Sequence, residues 1–156
     1  MPNDNGFTIE GVVLKKYIGK GEKVVTIPND VTTIGGSAFA FCRSLTAIEI
    51  PNSVTKIGAW AFSGCRSLTE IKIPNSVTEI GDSAFKDCSS LKNITIPDSV
   101  KTIGKNIFKK CDKLEKVIAP AGFIDTLPEK LKKQVKFTVY NEKKQKYTIL
   151  NSCCIE

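Results

Sequence analysis

Hydrophobic positions return along this chain at a fixed interval. Leu45, Leu68, Leu91 and Leu114 stand 23 residues apart, and so do Phe39, Phe62, Phe85 and Phe108. Inside one interval, Leu68-x-x-Ile71-x-Ile73 alternates with period two at its end, which predicts a short strand with one buried face. Pro74-Asn75-Ser76 stops that strand and turns the chain. Val77 and Ile80 point back inward, and Gly81 falls where a tight turn or a close backbone contact is needed. Ala84 and Phe85 are expected on about one helical turn opposite the strand, with the Phe filling the core. Cys88 precedes the return to Leu91.

The punctuating residues keep the same register. Pro28, Pro51, Pro74, Pro97 and Pro120 recur every 23 residues, as do Gly35, Gly58, Gly81 and Gly104, and Cys42, Cys65, Cys88 and Cys111. The unit reads L-x-x-I-x-I-P-N-S-V-T-x-I-G-x-x-A-F-x-x-C-x-S. A single such coil cannot bury its apolar face, whereas stacked coils bury a continuous core and line their strands into a parallel sheet at about 4.8 Å spacing. The fold predicted is an α/β repeat solenoid with one parallel strand and one short helical turn per coil. Four coils occupy 28–119, and Val24 to Ile27 supply an earlier strand.

A solenoid needs caps, because a bare end coil exposes core and strand edge. Residues 7–27 are read as an N-terminal cap, hairpin-like over Phe7 to Tyr17, plus the first strand. Residues 120–150 are read as a C-terminal cap, with a helical turn after Pro128 and strands over Val135 to Tyr140 and Lys146 to Leu150. Residues 1–6 and 151–156 are expected to be a disordered start and a flexible tail.

The blocks I-P-x-S-V-T-x-I-G-x-x-A-F-x-x-C-x-S-L at 50–68 and 73–91 resemble the BspA-type leucine-rich-repeat family, and the resemblance covers about residues 7–120. It implies a leucine-rich-repeat arc, and a role in adhesion or protein recognition at a cell surface or after secretion. The motif is specific for fold and weak for function, so function has to come from the site.

Charge sharpens this picture in one place. The net charge is +7. Residues 1–100 carry ten Lys/Arg and ten Asp/Glu, whereas residues 101–156 carry 13 Lys and 6 Asp/Glu, so the basic excess belongs to the C-terminal third. That third suggests an anionic membrane surface as one partner. Its lysines come without arginine forks, which speaks against nucleic acid. There is no histidine, which removes the usual Ser-His and Cys-His nucleophile pairs. The chain reads as a non-enzyme with no cofactor or metal.

Four sets of residues are candidates for function. The outward strand positions form a concave face: Val24, Ala47, Glu70, Asn93 and Lys116 in one column, Thr26, Glu49, Lys72, Thr95 and Ile118 in the other. They are small and mixed in charge, which suits a protein partner, from a host or a second copy. Trp60 stands in a column otherwise holding Ser37, Ser83 and Asn106, and Phe41 in one holding Gly64, Asp87 and Lys110. Both columns should face outward, and positions four apart share a helix face, so the two aromatics are expected to form one contact patch, with weak homo-oligomerisation as an outcome. Cys42, Cys65, Cys88 and Cys111 do not converge on a point as a zinc site requires; they are expected to be buried free thiols in a ladder. Cys153, before Cys154-Ile155-Glu156 and after a lysine-rich stretch, is a weak lipidation candidate, and it carries the alternative of a cytoplasmic or inner-leaflet structural protein.

Overall fold

The hairpin β1 (Phe7–Glu10) and β2 (Val13–Tyr17) opens the fold in the computed structural model, which describes residues 5–125, 127, 129–140 and 147–150. β3 (Val24–Thr26) and β4 (Thr33–Ile34) follow in the first coil. The next coils repeat this pair as β5 (Ala47–Glu49) and β6 (Lys56–Ile57), β7 (Glu70–Lys72) and β8 (Glu79–Ile80), and β9 (Asn93–Thr95) and β10 (Thr102–Ile103). β11 (Lys116–Pro120) begins the final turn. Each longer strand buries its middle or second residue, Val25, Ile48, Ile71, Ile94 or Val117, and leaves the first position open or half-open. That is the period of two seen in the sequence.

Two walls of the solenoid are therefore sheets. The short strands form a parallel ladder β4-β6-β8-β10, extended at its front by β2 and β1. The concave strands lie opposite, in two pieces: β3 with β5, and β7-β9-β11 continued by two cap strands. The third wall is convex and is where the structure departs from the helical turn expected there. Residues 36–41, 59–64, 82–87 and 105–110 form hydrogen-bonded turns and no helix. Ser37, Phe41, Trp60, Gly64, Ser83, Asp87, Asn106 and Lys110 all have φ between +55° and +75°. A left-handed residue every fourth position cannot continue a right-handed helix. Instead, N–H groups at 37, 39 and 41 donate to the carbonyls of Ala59, Ala61 and Ser63 in the next coil, at 2.7–2.9 Å, and the following coil repeats the pattern toward Asp82, Ala84 and Lys86. The convex wall is thus also bonded coil to coil.

Inside, the phenylalanines stack. Phe39, Phe62, Phe85 and Phe108 follow one another with ring centroids 5.2, 5.6 and 6.1 Å apart and near-parallel planes. Tyr17 of the front cap and Phe123 of the back cap close the column at 5.2 and 6.3 Å. The glycine before each convex turn permits this spacing: a Cβ on Gly58 would come within 2.7 Å of the Gly36 backbone nitrogen.

The two caps cover different walls. β2 pairs parallel with β4, so the front hairpin seals the side ladder. At the back, α1 (Ala121–Ile124) and α2 (Glu129–Gln134) lead to β12 (Lys136–Tyr140), which pairs parallel with β11 and antiparallel with β13 (Tyr147–Leu150). That seals the concave sheet, and Val117, Phe123, Val135 and Phe137 are buried beneath it.

Candidate functional site

The concave residues singled out from the sequence do share one face. Glu49, Glu70, Lys72, Asn93 and Lys116 are exposed, and Ala47 and Thr95 are half-buried. Val24 and Thr26 are exposed at the front end, while Ile118 is half-buried. Strand alternation puts them there: each flanks the buried residue of its strand. Thr26 Oγ1 donates to Glu49 Oε2 at 2.9 Å, so neighbouring coils are linked across the face itself.

A perfect repeat suggests a uniform ladder, but the structure contains a break. Among the described residues, β5 and β7 share no strand pairing, and Thr69 N–H donates to Thr46 O at 3.2 Å where the two strands approach. The same wall is paired on both sides, β3 with β5 and β7 with β9. At the break lies a cleft of about 550 Å³, lined by Ile48, Glu49, Ile50, Lys72, Ile73 and the Pro74-Asn75 turn among others. It combines apolar side chains, one acid, one base and unladdered backbone, the mixture that polypeptide recognition uses. No sequence signal marks this break, because every coil there keeps the consensus.

The thiol ladder needs a correction. Cys65, Cys88 and Cys111 are buried, but Cys42 is only half-buried. Each buried thiol donates to the phenylalanine carbonyl of the preceding coil: Cys65 to Phe39 O, Cys88 to Phe62 O and Cys111 to Phe85 O, at 3.1–3.2 Å. Burial pushes the Cys88 thiol up to about 12 and raises Cys111 as well. For Cys65, donation to the Cys42 sulfur comes first and burial second, and both raise it. Cys42 moves the other way: the hydrogen bond from Cys65 and the charge of Lys16 favour its thiolate, against burial. The coil position before Phe39 belongs to cap strand β2, so the first rung of the ladder meets a cap where the others meet a coil.

The aromatic pair is also placed differently from expectation. Phe41 and Trp60 do face outward, 65% and 43% exposed. They do not share a helix face, since the wall is not helical. Phe41 lies over Gly64 of the next coil, where an added Cβ would meet its ring at 2.6 Å. Trp60 instead sits under Lys86, whose Nζ is 4.9 Å from the ring centroid. Each aromatic leans on the coil that follows its own. Cys153 lies outside the described residues, and so does Pro128.

A BspA type leucine rich repeat region, in six copies, matches residues 19–131. The chain belongs to the BspA-type leucine-rich-repeat family. Among solved structures, the T. pallidum leucine-rich repeat protein TpLRR is similar at 28% identity and a TM-score of 0.65, over 77% of this chain and 72% of its own. A leucine-rich cell surface protein from Faecalibacterium prausnitzii is 35% identical with a TM-score of 0.67, over 69% of this chain and 29% of its own. The pneumococcal vaccine antigen PcpA is 28% identical with a TM-score of 0.69, over 72% and 28%. The chain thus spans less than a third of the last two proteins. No curated protein matches it. No helix among the described residues is long and apolar enough to cross a membrane.

Proposed function

We propose that this BspA-type chain is a non-catalytic protein-binding module whose concave face receives a partner protein at a cell surface. The observation that carries the reading is the cleft at the ends of β5 and β7, where the strands run into the turns that follow, bordered by Glu49 and Lys72 of the concave face. The family supports recognition as a role, and one similar protein is described as a cell surface protein. The opposite charges of Glu49 and Lys72 suit a polar protein surface better than a phosphate backbone. The test is adhesion of beads coated with the protein to cultured epithelial cells. Reversing Glu70→Lys with Lys72→Glu is expected to abolish adhesion, while a convex control, Lys109→Glu, retains it. Equal adhesion by both variants overturns the concave assignment, and no adhesion by the native protein overturns the cell-surface role.

A second reading, self-association, rests on Phe41 and Trp60. Each puts a large aromatic on left-handed backbone, which costs about 1–2 kcal/mol for a non-glycine residue, at positions where other coils hold Ser, Asn, Asp, Gly or Lys. Trp is enriched at energetic centres of interfaces. Trp60→Ser is expected to leave the fold intact and reduce any dimer seen by sedimentation. An unfolded Trp60→Ser variant sinks the idea of a surface role.

A further inference from the structure

A second groove, of about 410 Å³, lies at the front end of the solenoid and is lined by residues different from those of the concave cleft. Its walls come from the end of β2 and the loop after it (Lys16, Tyr17, Ile18) and from the first coil (Phe41, Cys42, Arg43). Glu22, the acid in its wall, is engaged by the Tyr17 hydroxyl and the Lys20 N–H, both at 2.7 Å. Lys16 and Arg43 are the groove's cations, and they share it with the one ladder thiol that is not sealed in the core. Behind Cys42 stands Cys65, whose proton has two acceptors within reach, the Phe39 carbonyl at 3.1 Å and the Cys42 sulfur. An ionised Cys42 is the stronger acceptor of the two. An accessible thiol with cations beside it and a donor behind it is the arrangement that makes a cysteine nucleophilic.

We propose that Cys42 is a covalent modification site for a small anionic disulfide seated between Lys16 and Arg43, with Cys65 as the residue that positions the nucleophile. The Cys42 thiolate attacks one sulfur of the incoming disulfide. The reagent's S–S bond breaks, a bond forms between Cys42 Sγ and one half, and the other half leaves as a thiolate that takes up the proton Cys42 gave to water. Cys42 is oxidised to the mixed disulfide level and the departing half is reduced. Cys65 keeps its proton, because it is buried beside Cys88 in the apolar core. It therefore does not expel the second half, and the exchange stops at one adduct.

The test uses the full chain carrying Cys153→Ser and Cys154→Ser, incubated with glutathione disulfide and followed by intact mass and peptide mapping. One adduct per chain, on Cys42, is expected, and none in Cys42→Ser. Its rate should be half-maximal below the pH of about 8.5 typical of a free thiol. It should exceed the rate with the cationic disulfide cystamine and fall as salt is added. Cys65→Ser retains a donor and should keep most of the rate, whereas Cys65→Ala should lower it several-fold at neutral pH. No adduct, an adduct on a buried cysteine, or faster reaction with cystamine overturns the proposal. Should Cys65→Ala not fold, a half-maximal rate at or above the free-thiol pH in the parent protein overturns the role of Cys65.

Discussion

At the residue scale, the small polar columns of the repeat act as donors to backbone of the preceding coil. Ser53, Ser76 and Ser99 donate to Val31, Val54 and Val77 carbonyls at 2.6–2.7 Å. Thr55 and Thr78 donate to Thr32 and Thr55 carbonyls, and the buried cysteines to phenylalanine carbonyls. Ser76→Ala is expected to cost about 1 kcal/mol, and Phe62→Ala, at the centre of the stack, about 3–5 kcal/mol; urea titration of each variant measures both. Alkali probes the thiols. The folded state raises Cys88 from 9.0 to about 12 by burial, so it favours the protonated form. Its contribution is complete below pH 9 and is lost as pH rises toward 12. Melting temperature should fall across that window, and less steeply in Cys88→Ala; parallel curves would show that the buried thiol contributes nothing. The apolar columns were legible because burial imposes a period. The donor roles were not, since the acceptor of Ser76 lies 22 residues away and only the stacking direction decides which carbonyl it meets. Cys42 shares its column's chemistry in sequence and differs only because β2, not another coil, lies before it.

At the element scale, strands of two or three residues could not stand alone; the hydrogen bonds between coils make them. The sequence showed that strands exist and which face is buried. One detail differs, the short helical turn expected on the convex wall, because Ala-Phe spacing alone does not show that positions 37, 41, 60 and 64 take positive φ. Of these, only Gly64 advertises it. The interruption between β5 and β7 gives an element-scale prediction. The Ile50 amide, at the break, should exchange with solvent faster than those of Ile27 and Ile96, which donate at 3.0 and 2.8 Å across intact coils. Equal protection by NMR would show the wall to be continuous in solution. At the back, removing residues 121–156 strips β12 from β11 and bares Val117. A lower melting temperature and concentration-dependent association are expected, and an unchanged monomer would deny that segment its capping role.

At the scale of the whole molecule, the first four coils meet through a common set of contacts: an aromatic ring on a ring and a serine on a valine carbonyl at each joint, with a threonine on a threonine carbonyl at the first two. The joint between coils two and three shares its stacked rings and its serine bond with that between three and four, where Lys92 and Lys101 stand in the threonine columns. Length is then a quantity counted in whole units. A segment copied from one proline to the next, 51–73 for example, can be spliced in again without leaving an acceptor idle or a ring unstacked, whereas a segment one residue longer disturbs every column behind it. Recombination between similar DNA blocks makes whole-unit changes readily. A chain that spans less than a third of some of its relatives can therefore share their architecture coil for coil.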